Sequence, residues 1–121
     1  MKNLLLFSLL TLWYPLTLCY PLFKQCDGLW ALDQLGTSSE TICDAGCLMS
    51  SIAMILSDCN RTIDAQDASP RTLNAWLTRN GGYVNENLFI WGAVQKYGLV
   101  FQGKIKPSNT EGIAQIKEAF D

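Results

Sequence analysis

The sequence predicts a small α+β domain, and three observations carry that prediction. Apolar residues recur at helical spacing from Cys47 to Asp58. A second helix is bracketed by Ser69-Pro70 at its start and Asn80-Gly81-Gly82 at its end. Residues 99–105 then have the β-branched and aromatic composition of a strand, interrupted by Gly103.

The chain has 121 residues, too few for more than one ordinary domain. Residues 1–19 stand apart from that domain. Met1-Lys2-Asn3 is weakly positive, and residues 4–18 are almost wholly apolar, broken by Ser8, Thr11, Pro15 and Thr17. The stretch is short for a membrane span, and no basic stop-transfer cluster follows it. It reads as a secretory signal peptide cleaved after Cys19, leaving residues 20–121 as the mature domain. An uncleaved anchor is the alternative. Leu18 stands where a lipoprotein signal would need a small residue. The mature chain is therefore expected outside the cell or in the secretory lumen, with no stable membrane span once the signal is removed.

Nine basic and eleven acidic residues give the whole chain a net charge of −2, and loss of Lys2 makes it −3. No basic run occurs, so nothing supports a nucleic-acid footprint. Cysteine usage says more. Cys19 leaves with the signal, and Cys26, Cys43, Cys47 and Cys59 remain. In an oxidising compartment disulfides are the default for four cysteines. The chain has no Cys-x-x-Cys pair and no histidine, so a structural zinc site is disfavoured and no metal or other cofactor is expected. With Cys47 kept free for chemistry, Cys26 pairs with Cys43, since both lie in irregular segments flanking it. Cys59 shares a helical face with Leu48, Ile52 and Ile55, as a small buried thiol would. An oxidised Cys47 would instead mark a disulfide-held structural protein.

Residues 20–40 have mixed polarity, with Gly28, Gly36 and Thr37-Ser38-Ser39, and read as loop with a helical turn near residues 29–32. The helix from Cys47 is apolar most of the way round, which places it in a core. Ser69 caps the next helix, Pro70 takes its first position, and Leu73, Trp76 and Leu77 form its apolar stripe. A third helix is expected over residues 86–97, with Leu88, Ile90, Trp91 and Val94 apolar and Gly98 as terminator. Thr110 caps a last helix holding Ile113, Ile116 and Phe120. A lone strand leaves backbone groups unpaired, so either further short strands exist or the sheet is incomplete. Trp30, Trp76 and Trp91 read as core or groove-lining rings, and Met49 and Met54 as core filling. Asn60-Arg61-Thr62 is a glycosylation acceptor triplet, meaningful in a eukaryotic source if its loop is exposed.

The chemistry concentrates at Cys47. A cysteine opening a helix faces unpaired backbone amides and the positive end of the helix dipole, and both favour thiolate over thiol. Gly46 before it permits a tight turn and close approach of a substrate backbone. Such a thiolate attacks a carbonyl while nearby donors hold the developing oxyanion. Its usual proton acceptor is an imidazole, which this chain does not contain. Asp27 and Asp44 are near in sequence, but carboxylates beside a thiolate oppose its ionisation.

Gln25-Cys26-Asp27-x-x-Trp30, Leu35-Gly36 and Thr41-Ile42-x-x-Ala45-Gly46-Cys47 leading into Ser50-Ser51-Ile52-Ala53-Met54 together form a pattern. It resembles the N-terminal part of the papain-like cysteine peptidases, in the branch like the bacteriocin-processing peptidases (peptidase family C-thirty-nine-like). The resemblance continues through Leu73-Asn74-Ala75-Trp76-Leu77, Gly81-Gly82-Tyr83 and Trp91, and so covers most of the mature chain. It implies a papain-like fold with the helical lobe present and the β-sheet lobe largely missing. It implies Cys47 as nucleophile, Gln25 as oxyanion-hole donor, and a peptide or peptide-like substrate. The family's histidine and its Asp or Asn come from a downstream β-sheet half, possible as a separate partner. A peptidase-like chain incomplete or inactive by itself is thus expected; the alternatives are a non-catalytic peptide-binding module or a disulfide-stabilised structural protein.

Overall fold

The structure, a computed structural model, describes residues 21–103 and Ala114. The expected signal peptide, residues 104–105 of the expected strand, and the last helix apart from Ala114 lie outside the described residues.

Thr41 and Asp44 open the first helix, α1 (Ile42–Ala45), with a reciprocal capping box. Gly46 closes α1 by donating its N–H to Ile42 O at 2.8 Å, and its own carbonyl accepts from Ser50 N at 2.9 Å to start α2 (Cys47–Asp58). A Cβ at Gly46 would come within 2.6 Å of the Ile42 carbonyl oxygen, so the break between the two helices needs a glycine. α2 buries one face, through Met49, Ala53 and Leu56, with Ser50 beside them. The wrap-around burial expected for it is not observed: Met54 and Ile52 are half-buried and Ile55 is 41 % exposed.

A tight hairpin follows, β1 (Thr62–Ile63) against β2 (Gln66–Asp67), antiparallel. Asp64 and Ala65 between them both take positive φ (49° and 61°), the mirror-image turn whose twist suits two-residue hairpins. α3 (Pro70–Arg79) starts as its sequence predicts, with the Ser69 side chain accepting from Thr72 N and Pro70 at the first turn. Leu73, Asn74, Trp76 and Leu77 are its buried residues, and α3 packs on α2.

Beyond α3 the sequence reading needs correction. Residues 86–97 form no continuous helix. β3 (Tyr83–Val84) pairs antiparallel with β4 (Leu88–Phe89), and a single 3-10 turn covers Gln95–Tyr97. The cause is tertiary. Asn85 and Glu86 adopt φ of 48° and 72°, and the Glu86 carbonyl accepts the Thr37 N–H at 3.0 Å. Gly36 makes that approach possible, because any Cβ at its φ of 60° would overlap the Glu86 carbonyl oxygen. Residues 99–103 form no strand; Phe101 stacks instead on Trp91, ring centroids 4.6 Å apart.

The chain is thus α+β, with short antiparallel hairpins set around α2 and α3. Its core joins Trp30, Leu35 and Ile42 from the N-terminal part to Met49, Leu56, Ile63, Leu73, Trp76, Leu77 and Val94. Among the described residues no helix is long and apolar enough to cross a membrane.

Candidate active site around Cys47

Cys47 is the first residue of the twelve-residue α2, and its thiol is free and exposed. Cys26 and Cys43 form a disulfide, as expected, across 17 residues of chain. The bridge fastens the Gln25 loop to α1, the short helix that leads through Gly46 into Cys47. Two hydrogen bonds reinforce it: Gln25 Nε2 donates to Cys43 O at 2.7 Å, and Cys43 N donates to Ala31 O at 3.1 Å. Gln25 is half-buried. One N–H of its amide is committed to Cys43, which leaves the second for another acceptor.

The Gln25 loop is rigid for reasons its sequence supplies. Asp27 Oδ1 accepts from Leu29 N at 2.9 Å, and its carbonyl accepts from Trp30 N at 3.1 Å and Ala31 N at 2.7 Å, making the short helical turn. Trp30 is buried edge-on to Phe23, and its indole N–H donates to Lys24 O at 2.9 Å. A buried indole with its donor satisfied anchors the loop at little cost.

The two carboxylates weighed as bases, Asp44 and Asp27, have local duties. Asp44 Oδ2 accepts from Thr41 N at 2.9 Å and Thr41 Oγ1 at 2.7 Å. The Thr41 backbone bond, then its side-chain bond, hold the Asp44 carboxyl below its ordinary range, so it remains an ionised cap. Asp27 serves the turn just described. Neither is free to act as base without dismantling the element it caps. The Thr41-x-x-Asp44 spacing is a readable capping signal that sequence reasoning passed over.

Cys59 departs from its expected burial. It is exposed rather than buried, because α2 ends at Asp58 and the chain turns at Asn60, φ 51°. The face it was to share stays open. Ile52 and Ile55 line an apolar groove of about 220 Å³ together with Phe89, Trp91, Val94, Leu99, Val100 and Phe101. Trp91 is thus groove-lining, whereas Trp30 and Trp76 belong to the core. Among the described residues no three His, Cys, Asp or Glu side chains converge as metal ligands. Comparison with protein-family models, curated proteins and solved structures returns no match.

Proposed function

We propose that this protein is a secreted relative of the papain-like cysteine peptidases, carrying the nucleophile-bearing helical lobe of that fold. Cys47 Sγ gives its proton to the acceptor and attacks the carbonyl carbon of a peptide or amide bond while the remaining N–H of Gln25 stabilises the oxyanion. The C–N bond then breaks, the amine leaves with that proton, and water releases the acyl group from sulfur. The observation that carries this reading is the free, exposed thiol at the first position of α2; Gln25 and the Cys26–Cys43 bridge tie their loop to α1, the helix just before it.

The 121 residues contain no histidine. Loss of one member of a Cys–His unit costs about four orders of magnitude or more in rate. The chain alone therefore turns over peptide bonds negligibly, and the proton acceptor comes from a complementary β-sheet half. The apolar groove beside Ile52 and Ile55 supports this, as a lobe interface left open would look so. The same lack of histidine favours a second reading, a non-catalytic module that binds peptide and does not cleave it.

Alkylation with iodoacetamide followed by peptide mapping, and acyl transfer from an activated ester with and without added imidazole, test the proposal. Cys47 should alkylate faster than Cys59. Imidazole-dependent acylation of the protein, read by mass above the direct reaction of imidazole with the ester, should vanish in Cys47→Ala and survive in Cys59→Ala, with no peptide hydrolysis when imidazole is absent. Equal labelling of both thiols, with Cys47→Ala unchanged in acyl transfer, would sink the nucleophile assignment. Peptide binding without imidazole-dependent acylation would favour the second reading.

A further inference from the structure

We propose that Asn60 is a site of N-linked glycosylation, its side-chain amide accepting an oligosaccharide from a lipid-pyrophosphate donor in a secretory lumen. The chemistry of Cys47 plays no part in this. Asn60-Arg61-Thr62 is the sole acceptor triplet in the chain. A triplet alone is weak; its placement in the fold is what gives it weight.

All three residues are exposed, in the turn where α2 gives way to β1. The turn is held by backbone bonds alone: Asn60 N donates to Ser57 O at 3.0 Å and Arg61 N to Leu56 O at 2.8 Å. The Asn60 amide has no hydrogen-bond partner among the described residues, whereas those of Asn74, Asn80 and Asn87 donate to Gln34 O, Trp76 O and Glu40 respectively. The Thr62 hydroxyl, two positions on, is equally free of partners among the described residues. Both groups that the transfer enzyme must recognise are thus free of partners among the described residues.

Access is open from both sides. A cleft of about 470 Å³ reaches the triplet from the side of Phe23, Ser57 and Asp67. A second, of about 370 Å³, reaches it from the side of Lys96, Tyr97 and Gly98. Asn60, Arg61 and Thr62 line both clefts and so form the ridge between them.

In the transfer, Asn60 Nδ2 attacks the anomeric carbon of the donor sugar. A carbon–nitrogen bond forms, and the bond from that carbon to the pyrophosphate oxygen breaks. The lipid pyrophosphate leaves with the electron pair, and the amide gives up one proton to a base of the transferase.

The test is expression of the full chain, with its own leader, in a eukaryotic secretory cell, and a parallel copy behind a leader known to be cleaved. Secreted protein should carry one glycan removable by peptide N-glycosidase, with Asn60 converted to Asp at the released site by mass spectrometry. Thr62→Ser should keep it. Thr62→Ala and Asn60→Gln should each lose it while retaining the Cys26–Cys43 bridge. Secreted chain unmodified at residue 60 behind either leader would overturn the proposal. So would an increment that persists in Asn60→Gln, or a chain that stays in the cytosol under its own leader.

Discussion

Asn74 shows how much one polar side chain can organise. It is 6 % exposed, and it satisfies three partners from two distant segments. Its Nδ2 donates to Gln34 O at 2.8 Å, while Oδ1 accepts from Gly36 N at 3.1 Å and from the Tyr83 hydroxyl at 2.9 Å. The loop before α1 and the start of β3 are therefore pinned to one face of α3. Replacing Asn74 by Ala strands all three groups, and a buried unpaired group costs about 1–3 kcal/mol. Asn74→Ala should lose about 2–4 kcal/mol in urea unfolding, allowing for partial relaxation. Asn74→Asp, which keeps the acceptor, should lose less. A loss within experimental error for Asn74→Ala would show that water takes over all three bonds. In the sequence Asn74 is only the polar neighbour of a Leu73–Trp76–Leu77 stripe; its loop partners are 38 and 40 residues away and could not be read locally.

Elements with their own punctuation were legible, and those shaped by distant contacts were not. α3 was predicted at both ends because Ser69, Pro70 and the Asn80-Gly81 exit act within a few residues of the helix. Ser69→Ala should cost about 1 kcal/mol, read as a lowered urea midpoint with unchanged slope. No change would mean that the Pro70 start and the packing of Leu73 hold the first turn unaided. α2 was equally plain in length, yet its packing was misjudged: apolar residues around its circumference do not say whether both faces are covered. Residues 86–97 carried a helical apolar pattern and became a hairpin, loop and 3-10 turn instead. There the positive φ at Asn85 and Glu86, and the Glu86 carbonyl docked on Thr37 N–H, outweigh a weak local helix preference. The β1–β2 hairpin leaves no local signal, because its turn is Asp64-Ala65, without the glycine that marks such turns.

At the scale of the whole molecule, stability should depend on alkaline pH. Burial pushes the Tyr83 phenol well above its ordinary range, and its hydroxyl donates to Asn74. Burial raises Tyr97 too, with Asp64 adding to the effect and Arg79 opposing it. An unfolded tyrosine ionises near pH 10. The folded state keeps its phenolic proton longer, so this contribution is intact below about pH 10 and falls as pH rises beyond it. In a Cys19→Ser/Cys47→Ser/Cys59→Ser background, where no free thiol can attack the disulfide, unfolding free energy should drop from about pH 10 upward. Tyr83→Phe should lower stability at neutral pH and flatten that drop; parallel curves would exclude Tyr83 as its source. The sequence by itself determined the α+β class, the extents of α2 and α3 and the position of Cys47 at a helix start, since each depends on residues close in the chain. The Cys26–Cys43 pairing follows from sequence only on the premise that Cys47 stays free, and the tertiary structure decided it. Only the tertiary structure decided that Cys47 and Cys59 are both exposed, that α2 keeps an apolar face open, and that Asn74, Gly36 and Glu86 lock the loops together. Those outcomes depend on which surfaces meet, and contacts between segments tens of residues apart leave no local pattern to read.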